Sequence, residues 1–287
     1  MKNIMMATDF SERSDRALRR AILLARQLGA GITLVHVVDD DQQRRIVEAE
    51  RDAAETLLRQ MGETLRDADQ LECETRTILA SPFAGIVQAV EDGKPDLLVI
   101  GPHRRQVLRD VFIGTTAERT IRAVGCPVLM VNAPPAGNYR HVMQTTDLSD
   151  GSREALQRFP SLGISGEARN SLLYVYDAPA LRLAFSHTMP KSERETYRSD
   201  ESRDASRRLS EFLATANFGG VAPMVRFEAT TAQHEILEAA DAEKADLIVI
   251  STHGQTGIAK LFIGSVTEQV LRMSPVDVLA LPPLRGA

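Results

Sequence analysis

Two stretches of the chain carry glycine and hydroxyl residues in a pattern that suits anion binding. Residues 251–265 read STHGQTGIAKLFIGS, and residues 101–115 read GPHRRQVLRDVFIGT. Glycines allow close backbone approach, so successive N–H groups can converge on a phosphate. Gly264 and Ser265 precede a helix-like segment, whose N-terminus would add unsatisfied N–H groups and a partial positive charge. The spacing predicts a diphosphate or triphosphate site, although glycine and serine also cap helices where no ligand binds.

The two stretches differ at one position that matters for this prediction. Gly254 in the second stretch corresponds to Arg104 in the first. If the position requires a positive φ, a side chain there costs about 1 kcal/mol or more, and a long one would fill the phosphate space. Alternatively, the guanidinium pairs with phosphate as a charged donor. We expect nucleotide to bind mainly in the C-terminal half.

The stretches belong to a repeat that spans the chain. The segment ATDFSERSDRAL (7–18) matches TTDLSDGSREAL (145–156), so that Asp147 lies 138 residues after Asp9. Farther along, DLLVIG (96–101) matches DLIVIS (246–251), and the offset there is 150. The second copy therefore carries about twelve additional residues. We assign them to the charged stretch near 185–204 and predict a flexible surface insertion that could close over the second site.

Both copies alternate short apolar runs with longer segments of helical periodicity. Nearly continuous apolar strands separated by helices are typical of a parallel sheet covered on both faces. The fold class predicted is α/β, with two tandem doubly wound sheets in domains 1–133 and 140–287. Pro160 is expected to shorten the first helix of the second domain.

Composition narrows the function classes. The hydrophobic fraction of 43% and the charged fraction of 25% are those of an ordinary globular protein. A net charge of −5 gives no reason to expect nucleic acid or a membrane surface as partner. With no signal peptide and two isolated cysteines, we expect a cytoplasmic protein.

Ligands of doubly wound sheets bind beyond the carboxyl ends of the strands, where the winding reverses. Asp9 and Asp147 follow the first strand of each copy, and the glycine stretches follow the fourth. Either aspartate is suited to hold Mg²⁺ indirectly through bound phosphate, or to cap the next helix together with Ser11 or Ser149. Asp147 is the candidate for the metal role.

These residues resemble the universal stress protein family. The family signature is G-x2-G-x9-G-[S/T] after a strand of the type DLIVIG, with a TDFSE-like end to the first strand and an LLHVxD second strand. This chain matches TDFSE at 8–12, LVHVVD at 34–39, and the block from the fourth to the fifth strand in both copies. The resemblance covers nearly the full length, in tandem.

The resemblance implies five parallel strands per domain in the order 3-2-1-4-5. It also implies that the two domains pair through their last strands as an intrachain pseudo-dimer, and it allows a further homodimer. It also implies ATP as a ligand in some members, with the second-strand valine at adenine, the first-strand aspartate near ribose, and the glycine loop at the phosphates. The candidate binding residues in the second copy are Asp147, Val175, Ser251, His253, Gly254, Gly257, Gly264, Ser265 and Val266. The weaker candidates in the first copy are Asp9, Val37, Gly101, Arg104, Gly114 and Thr115.

Three interpretations of function remain at this point. The first is a stress-response module that binds ATP or another adenine nucleotide and acts through nucleotide-dependent shape or partner choice. The second is a tandem interaction scaffold that uses neither site. The third is an enzyme of the wider adenine-nucleotide α-hydrolase superfamily, but the chain has TDFSE and TDLSD where those enzymes carry an SGGxDS-type loop or a HIGH motif.

Overall fold

The computed structural model of the chain describes residues 1–102, 116–178, 191–216, 219–252 and 263–283. Ten strands lie within these ranges, five in each half. In chain order they are β1 (Asn3–Thr8), β2 (Gly31–Val38), β3 (Cys73–Leu79), β4 (Leu97–Ile100), β5 (Val128–Met130), β6 (His141–Thr146), β7 (Arg169–Tyr176), β8 (Ala222–Phe227), β9 (Leu247–Ser251) and β10 (Asp277–Leu281).

Helices connect the strands in the described ranges. They are α1 (Glu12–Leu28), α2 (Arg44–Asp67), α3 (Pro82–Gly93), α4 (Thr116–Ala123), α5 (Asp150–Arg158), α6 (Lys191–Ala216), α7 (Ala232–Ala242) and α8 (Ser265–Met273). A 3₁₀ turn (Phe159–Leu162) follows α5, which has 9 residues where α1 has 17. The predicted shortening at Pro160 is confirmed, because proline has no N–H to continue the α-helical ladder.

The strands form one ten-stranded sheet in the order β3-β2-β1-β4-β5-β10-β9-β6-β7-β8. Each half therefore has the predicted order 3-2-1-4-5, and neighbouring strands within a half are parallel. The halves join where β5 pairs with β10 in the antiparallel direction, with Leu129 opposite Leu279. These leucines are 150 residues apart and equivalent in the repeat, so a pseudo-twofold axis passes between them. The predicted pairing of the last strands is confirmed.

Helices cover both faces of the sheet, which explains the nearly continuous apolar strands. All four residues of β4 are buried. Along β1, Ile4 and Met6 pack in the layer that contains α1 and α2, whereas Met5 packs in the layer that contains α3 and α4. This alternation follows from the period of two along a strand. Because β1 and β4 are paired in parallel, their carboxyl ends lie side by side at one edge of the core.

Two reciprocal ion pairs link α4 and α8 across the pseudo-twofold axis. Arg122 contacts Glu268 at 2.8 Å, and Arg272 contacts Glu118 at 3.2 Å. The members of each pair come from different halves, and the two pairs are related by the 150-residue offset. They hold the helices that begin beside the two predicted sites in a fixed relation to each other.

A buried charge network also ties the halves together without a symmetric counterpart. Arg20 on α1 contacts Asp277 at 3.0 Å, and the Asp277 side chain is fully buried. The hydroxyl of Tyr139 donates to the same carboxylate at 2.7 Å, and the guanidinium of Arg20 lies over the Tyr139 ring. Burial raises the pKa of Asp277 above its usual range, and the contacts with Arg20 and Tyr139 oppose that rise. The network fixes the segment that connects β5 to β6.

The charged stretch near 185–204 differs from its prediction. Residues 191–204 form the N-terminal part of α6, so describing this part as a flexible insertion was wrong. Ion pairs spaced three and four residues apart run along the helix, such as Arg203 with Asp200 and Arg207 with Glu211. Such pairs stabilise helical surfaces that have no apolar periodicity. Residues 185–190 lie outside the described ranges.

Candidate functional site

Each half places an aspartate turn between its first strand and its first helix. In the N-terminal half, Asp9 Oδ1 accepts hydrogen bonds from the N–H of Ser11 at 3.1 Å and from its hydroxyl at 2.5 Å. Ser11 is the N-cap of α1, where its hydroxyl accepts from the N–H of Ser14. Burial opposes ionisation of Asp9, but the bonds from Ser11 and Ser14 and the charge of Arg13 outweigh it and lower its pKa. Asp9 is therefore a carboxylate that braces a helix cap.

A threonine and a second serine complete this turn. Thr8 Oγ1 accepts from the N–H of Phe10 at 3.0 Å and lies 3.1 Å from the hydroxyl of Ser14. The Ser14 hydroxyl donates to the Ser11 carbonyl at 2.8 Å. These bonds fix the path of the chain from the end of β1 into α1.

The C-terminal half repeats the arrangement. Asp147 Oδ1 accepts from the N–H of Ser149 at 3.0 Å and from its hydroxyl at 2.5 Å. Thr146 Oγ1 accepts from the N–H of Leu148 at 2.9 Å and lies 2.9 Å from the hydroxyl of Ser152. The capping role of the aspartates with Ser11 and Ser149 is confirmed in both halves, and it leaves the ligand role open.

Both turns contain a strained residue at the same position. Phe10 has φ 57° and Leu148 has φ 62°, in the left-handed region that bulky side chains avoid. Each conformation costs about 1–2 kcal/mol. Such strain persists where surrounding bonds impose it, and it concentrates at functional sites. The same strained conformation at the end of the first strand in both halves indicates that each turn is held in place by the surrounding structure.

The C-terminal half encloses a cavity of about 250 Å³ at the carboxyl ends of β6, β7 and β9. Six of the predicted site residues line it together: Asp147, Val175, Ser251, Gly264, Ser265 and Val266. Ala232 and Ile236 of α7 supply an apolar wall. The predicted residues His253, Gly254 and Gly257 lie outside the described residues.

Gly264 is the residue at which α8 begins. Its φ of −60° and ψ of 144° are open to any residue. Within the described ranges, a Cβ built on it would meet no atom closer than Thr267 Oγ1 at 3.9 Å. Neither backbone strain nor packing within the described protein explains a glycine here. A glycine that leaves free space in front of a helix N-terminus lets a ligand approach the first N–H groups of the helix.

Two hydrogen bonds fix the start of α8 against the end of β9. The hydroxyl of Thr267 donates to the carbonyl of Ser251 at 2.9 Å. The N–H of Gly264 donates to the carbonyl of Thr252 at 3.1 Å. The first N–H groups of α8 are thereby positioned at the cavity, and Gly264 provides no side chain to cap them.

The N-terminal half has a cavity at the equivalent place. It measures about 370 Å³ and is lined by the predicted residues Asp9, Val37 and Gly101. Pro82 and Ile86 of α3 form its apolar wall, in the positions of Ala232 and Ile236. The predicted residues Arg104, Gly114 and Thr115 lie outside the described residues, so the effect of the arginine stays a prediction.

The sequence model of the universal stress protein family matches the chain twice, over residues 1–132 and 138–282. The chain belongs to the universal stress protein family. Two copies in one chain make it a tandem member, in agreement with the two structural halves.

Individual relatives match one half at a time. A universal stress protein of Methanocaldococcus jannaschii is 30% identical over 141 residues, which cover 46% of this chain and 83% of that protein. A putative universal stress protein of Staphylococcus aureus USA300 is 27% identical over 159 residues, covering 52% and 95%.

Two of the similar solved structures cover nearly the whole chain. A universal stress protein from Archaeoglobus fulgidus aligns with a TM-score of 0.73 at 18% identity, covering 99% of this chain and 98% of that one. A putative universal stress protein from Pseudomonas aeruginosa aligns with a TM-score of 0.63 at 20% identity, covering 99% and 94%. At these identities the likeness shows the fold.

The two universal stress protein halves differ at the first signature glycine. A Cβ on Gly101 would lie 3.0 Å from the carbonyl oxygen of Arg13, so α1 packs directly against this position. The second half has Ser251 at the equivalent place. Gly101 is thus explained by packing inside the protein, whereas Gly264 is not. The same signature residue type serves two different purposes.

Sequence reasoning missed several cavity residues of both universal stress protein halves. Thr8 and Ser14, with their counterparts Thr146 and Ser152, were not proposed. Their signal was present, because T-D-x-S-x-x-S recurs at the 138-residue offset. The apolar wall residues of α3 and α7 gave no such signal, since they resemble any buried helix face.

The described residues provide neither a metal site of their own nor a membrane span. They contain no group of three or more histidine, cysteine or acidic side chains placed to hold a metal ion. The predicted role of Asp147 in holding Mg²⁺ would therefore depend on phosphate oxygens and water as the other ligands. None of the described helices combines the length and apolarity needed to cross a membrane.

Proposed function

We propose that this universal stress protein binds an adenine nucleotide, ATP in particular, in the cavity of its C-terminal half. Nucleotide occupancy would act as a cytoplasmic stress-response signal. Support comes from six predicted binding residues lining one cavity, at the topological position where doubly wound sheets bind ligands.

The observation that carries the proposal is the unexplained space in front of Gly264. The residue has an ordinary backbone conformation and a helix N-terminus behind it, and among the described residues no atom lies closer than 3.9 Å to its missing Cβ. A phosphate group at this place would accept hydrogen bonds from backbone N–H groups and benefit from the helix dipole.

The remaining cavity residues suggest how the nucleotide is oriented. Val175, Ala232 and Ile236 offer an apolar surface suited to the base. Asp147 lies at the end of β6, where a carboxylate suits ribose hydroxyls or a Mg²⁺ ion shared with phosphate. Phosphates would lie toward Gly264 and Ser265. Bound Mg²⁺ would supply charge neutralisation of the phosphates.

We infer binding rather than turnover as the principal activity. Among the described cavity residues the carboxylate is Asp147, and its Oδ1 is engaged by Ser149 in the cap of α5. This arrangement stiffens the turn and leaves the Asp147 carboxylate poorly suited to act as a general acid or base. ATP hydrolysis well above background that is lost in Asp147→Ala would contradict this inference.

The proposal is tested on the full chain as purified. Denaturation followed by mass spectrometry identifies any retained nucleotide, and calorimetric titration of the ligand-free protein with ATP gives the stoichiometry. We expect an adenine nucleotide and one strong ATP site per chain. A chain that retains no nucleotide and shows no binding heat would instead support a tandem interaction scaffold, and two equal ATP sites would contradict the preference for the C-terminal half.

A further inference from the structure

The N-terminal cavity reaches one helical turn deeper than its C-terminal counterpart. It is lined by Ala117 and also by Thr120, which belongs to the next turn of α4. The C-terminal cavity is lined by Thr267, the counterpart of Ala117, but not by Val270, the counterpart of Thr120. The two cavities therefore have different floors.

A small residue opens the deeper floor. Ala117 stands in the first half where Thr267 stands in the second. In the second half, the hydroxyl of Thr267 spans to the carbonyl of Ser251 at 2.9 Å and closes the space between β9 and α8. Alanine cannot make that bond. The larger volume, about 370 Å³ against 250 Å³, agrees with this difference.

The deeper floor includes a threonine whose hydroxyl has no partner in the described ranges. Thr120 is fully buried, and among the described residues its Oγ1 has no hydrogen-bond partner. Two other helical threonines, Thr56 and Thr64, bond back to the carbonyl four residues earlier at 3.0 Å. Burying a hydroxyl without a partner is unfavourable, and the second half avoids it with Val270. A polar group lining a cavity under these conditions indicates a ligand atom as its partner.

The cavity has two chemically distinct ends. Val37, Pro82 and Ile86 give an apolar surface suited to a base, whereas Asp9 and Thr120 provide a carboxylate and a hydroxyl. Sugar hydroxyls both donate and accept hydrogen bonds, so they suit this pair of groups.

We propose that the N-terminal cavity binds a ribonucleoside with a selectivity different from that of the C-terminal cavity, because Thr120 hydrogen-bonds a ribose hydroxyl. The inference rests on the proposed function of the family site and adds a determinant that the C-terminal half lacks. The ribonucleoside is free or part of a nucleotide, and the test below distinguishes adenosine from ATP.

The test uses the full chain carrying Ala232→Phe, whose ring would occupy the base position of the C-terminal cavity. Adenosine, 2′-deoxyadenosine, 3′-deoxyadenosine and ATP are titrated calorimetrically into this chain with and without Thr120→Val. We expect Thr120→Val to weaken adenosine about tenfold and to have little effect on the deoxy analogue that lacks the contacting hydroxyl. We also expect Thr120→Val to raise the denaturant midpoint, because it removes an unpaired buried hydroxyl.

Two further variants separate ligand recognition from structure. Ala117→Thr should rebuild the closed floor of the second half and abolish adenosine binding without unfolding the chain. Val270→Thr places a hydroxyl where the C-terminal cavity does not reach. It should lower the denaturant midpoint and leave adenosine binding to the N-terminal cavity unchanged.

The outcomes distinguish this inference from the proposed function. A raised midpoint with unchanged adenosine affinity in Thr120→Val overturns the inference, as does an equal loss for all three nucleosides. ATP binding that is removed by Ala232→Phe, with no adenosine binding left, overturns the inference and supports the C-terminal site. Absence of binding by any probe to the unsubstituted chain overturns both.

Discussion

Replacement of Gly264 by aspartate separates ligand binding from folding. The backbone angles of Gly264 are those of a normal N-cap, and a Cβ there has 3.9 Å of clearance. Aspartate is a preferred N-cap residue and gains about 0.3–1 kcal/mol from the helix dipole. Gly264→Asp should therefore leave the free energy of unfolding unchanged or slightly increased.

The same substitution should severely weaken phosphate binding. Its carboxylate would occupy the N–H groups at the start of α8 and would lie within about 4 Å of the phosphate position. Repulsion between two unit charges at that distance is about 1 kcal/mol in water and about 4 kcal/mol at the effective dielectric of a protein surface. The expected loss of ATP affinity is thus between about fivefold and 1,000-fold, and the lost N–H donors increase it.

Calorimetric titration with ATP and thermal denaturation of the same samples measure the two effects. Gly264→Ser is the matched control, because serine also caps helices but carries no charge, so we expect a smaller loss of affinity. An unchanged ATP affinity in Gly264→Asp would refute the assignment of phosphate to this helix end. A large drop in stability would refute the claim that the glycine has no structural purpose.

Three other predictions concern stability and the repeated loop. Arg20→Met leaves the buried carboxylate of Asp277 without its cationic partner and should cost about 3–5 kcal/mol by denaturant unfolding. Arg26→Met on the same helix removes a more exposed pair and should cost about 1 kcal/mol or less. Burial opposes ionisation of Asp96, but the backbone N–H groups of Lys2 and Asn3 outweigh it and lower the pKa of this carboxyl. Asp96→Asn should therefore lower the free energy of unfolding at pH 7, and denaturant unfolding should show this loss disappear once the pH falls below the folded pKa. Exchanging Gly254→Arg with Arg104→Gly should shift ATP binding toward the N-terminal half, and calorimetry that finds it unmoved would contradict the prediction that the arginine disables the first loop.

The arrangement of strands was accessible from sequence for a physical reason. Strands buried on both faces are continuously apolar, and their recurrence at offsets of 138 and 150 residues marks the two halves. Pairing of the last strand of one half with that of the other could be predicted because an exposed apolar edge strand tends to pair with another strand. The features that could be predicted are those that hydrophobic periodicity and the internal repeat encode, namely the strands, the helices and their order.

Features that depend on contacts between distant residues could not be predicted. Arg20 and Asp277 are 257 residues apart, and nothing in the neighbourhood of either indicates the other. The positive φ of Phe10 is imposed by Thr8 and by the capped start of α1, since the residue type itself disfavours that conformation. The charged part of α6 escaped detection because its ion pairs, not an apolar stripe, support the helix.

The two halves show why a shared signature does not imply a shared ligand. Close packing on α1 favours glycine at position 101, so its presence in the first half is not evidence for a phosphate. Gly264 meets no such constraint from the described residues, and this is why we propose a phosphate ligand there. Conversely, Thr120 stands at a position that the signature does not include, yet it lines a cavity and its hydroxyl has no hydrogen-bond partner among the described residues. In this duplicated fold, ligand preference is therefore better judged from residues that the protein's own packing leaves unexplained than from the glycines that match the pattern.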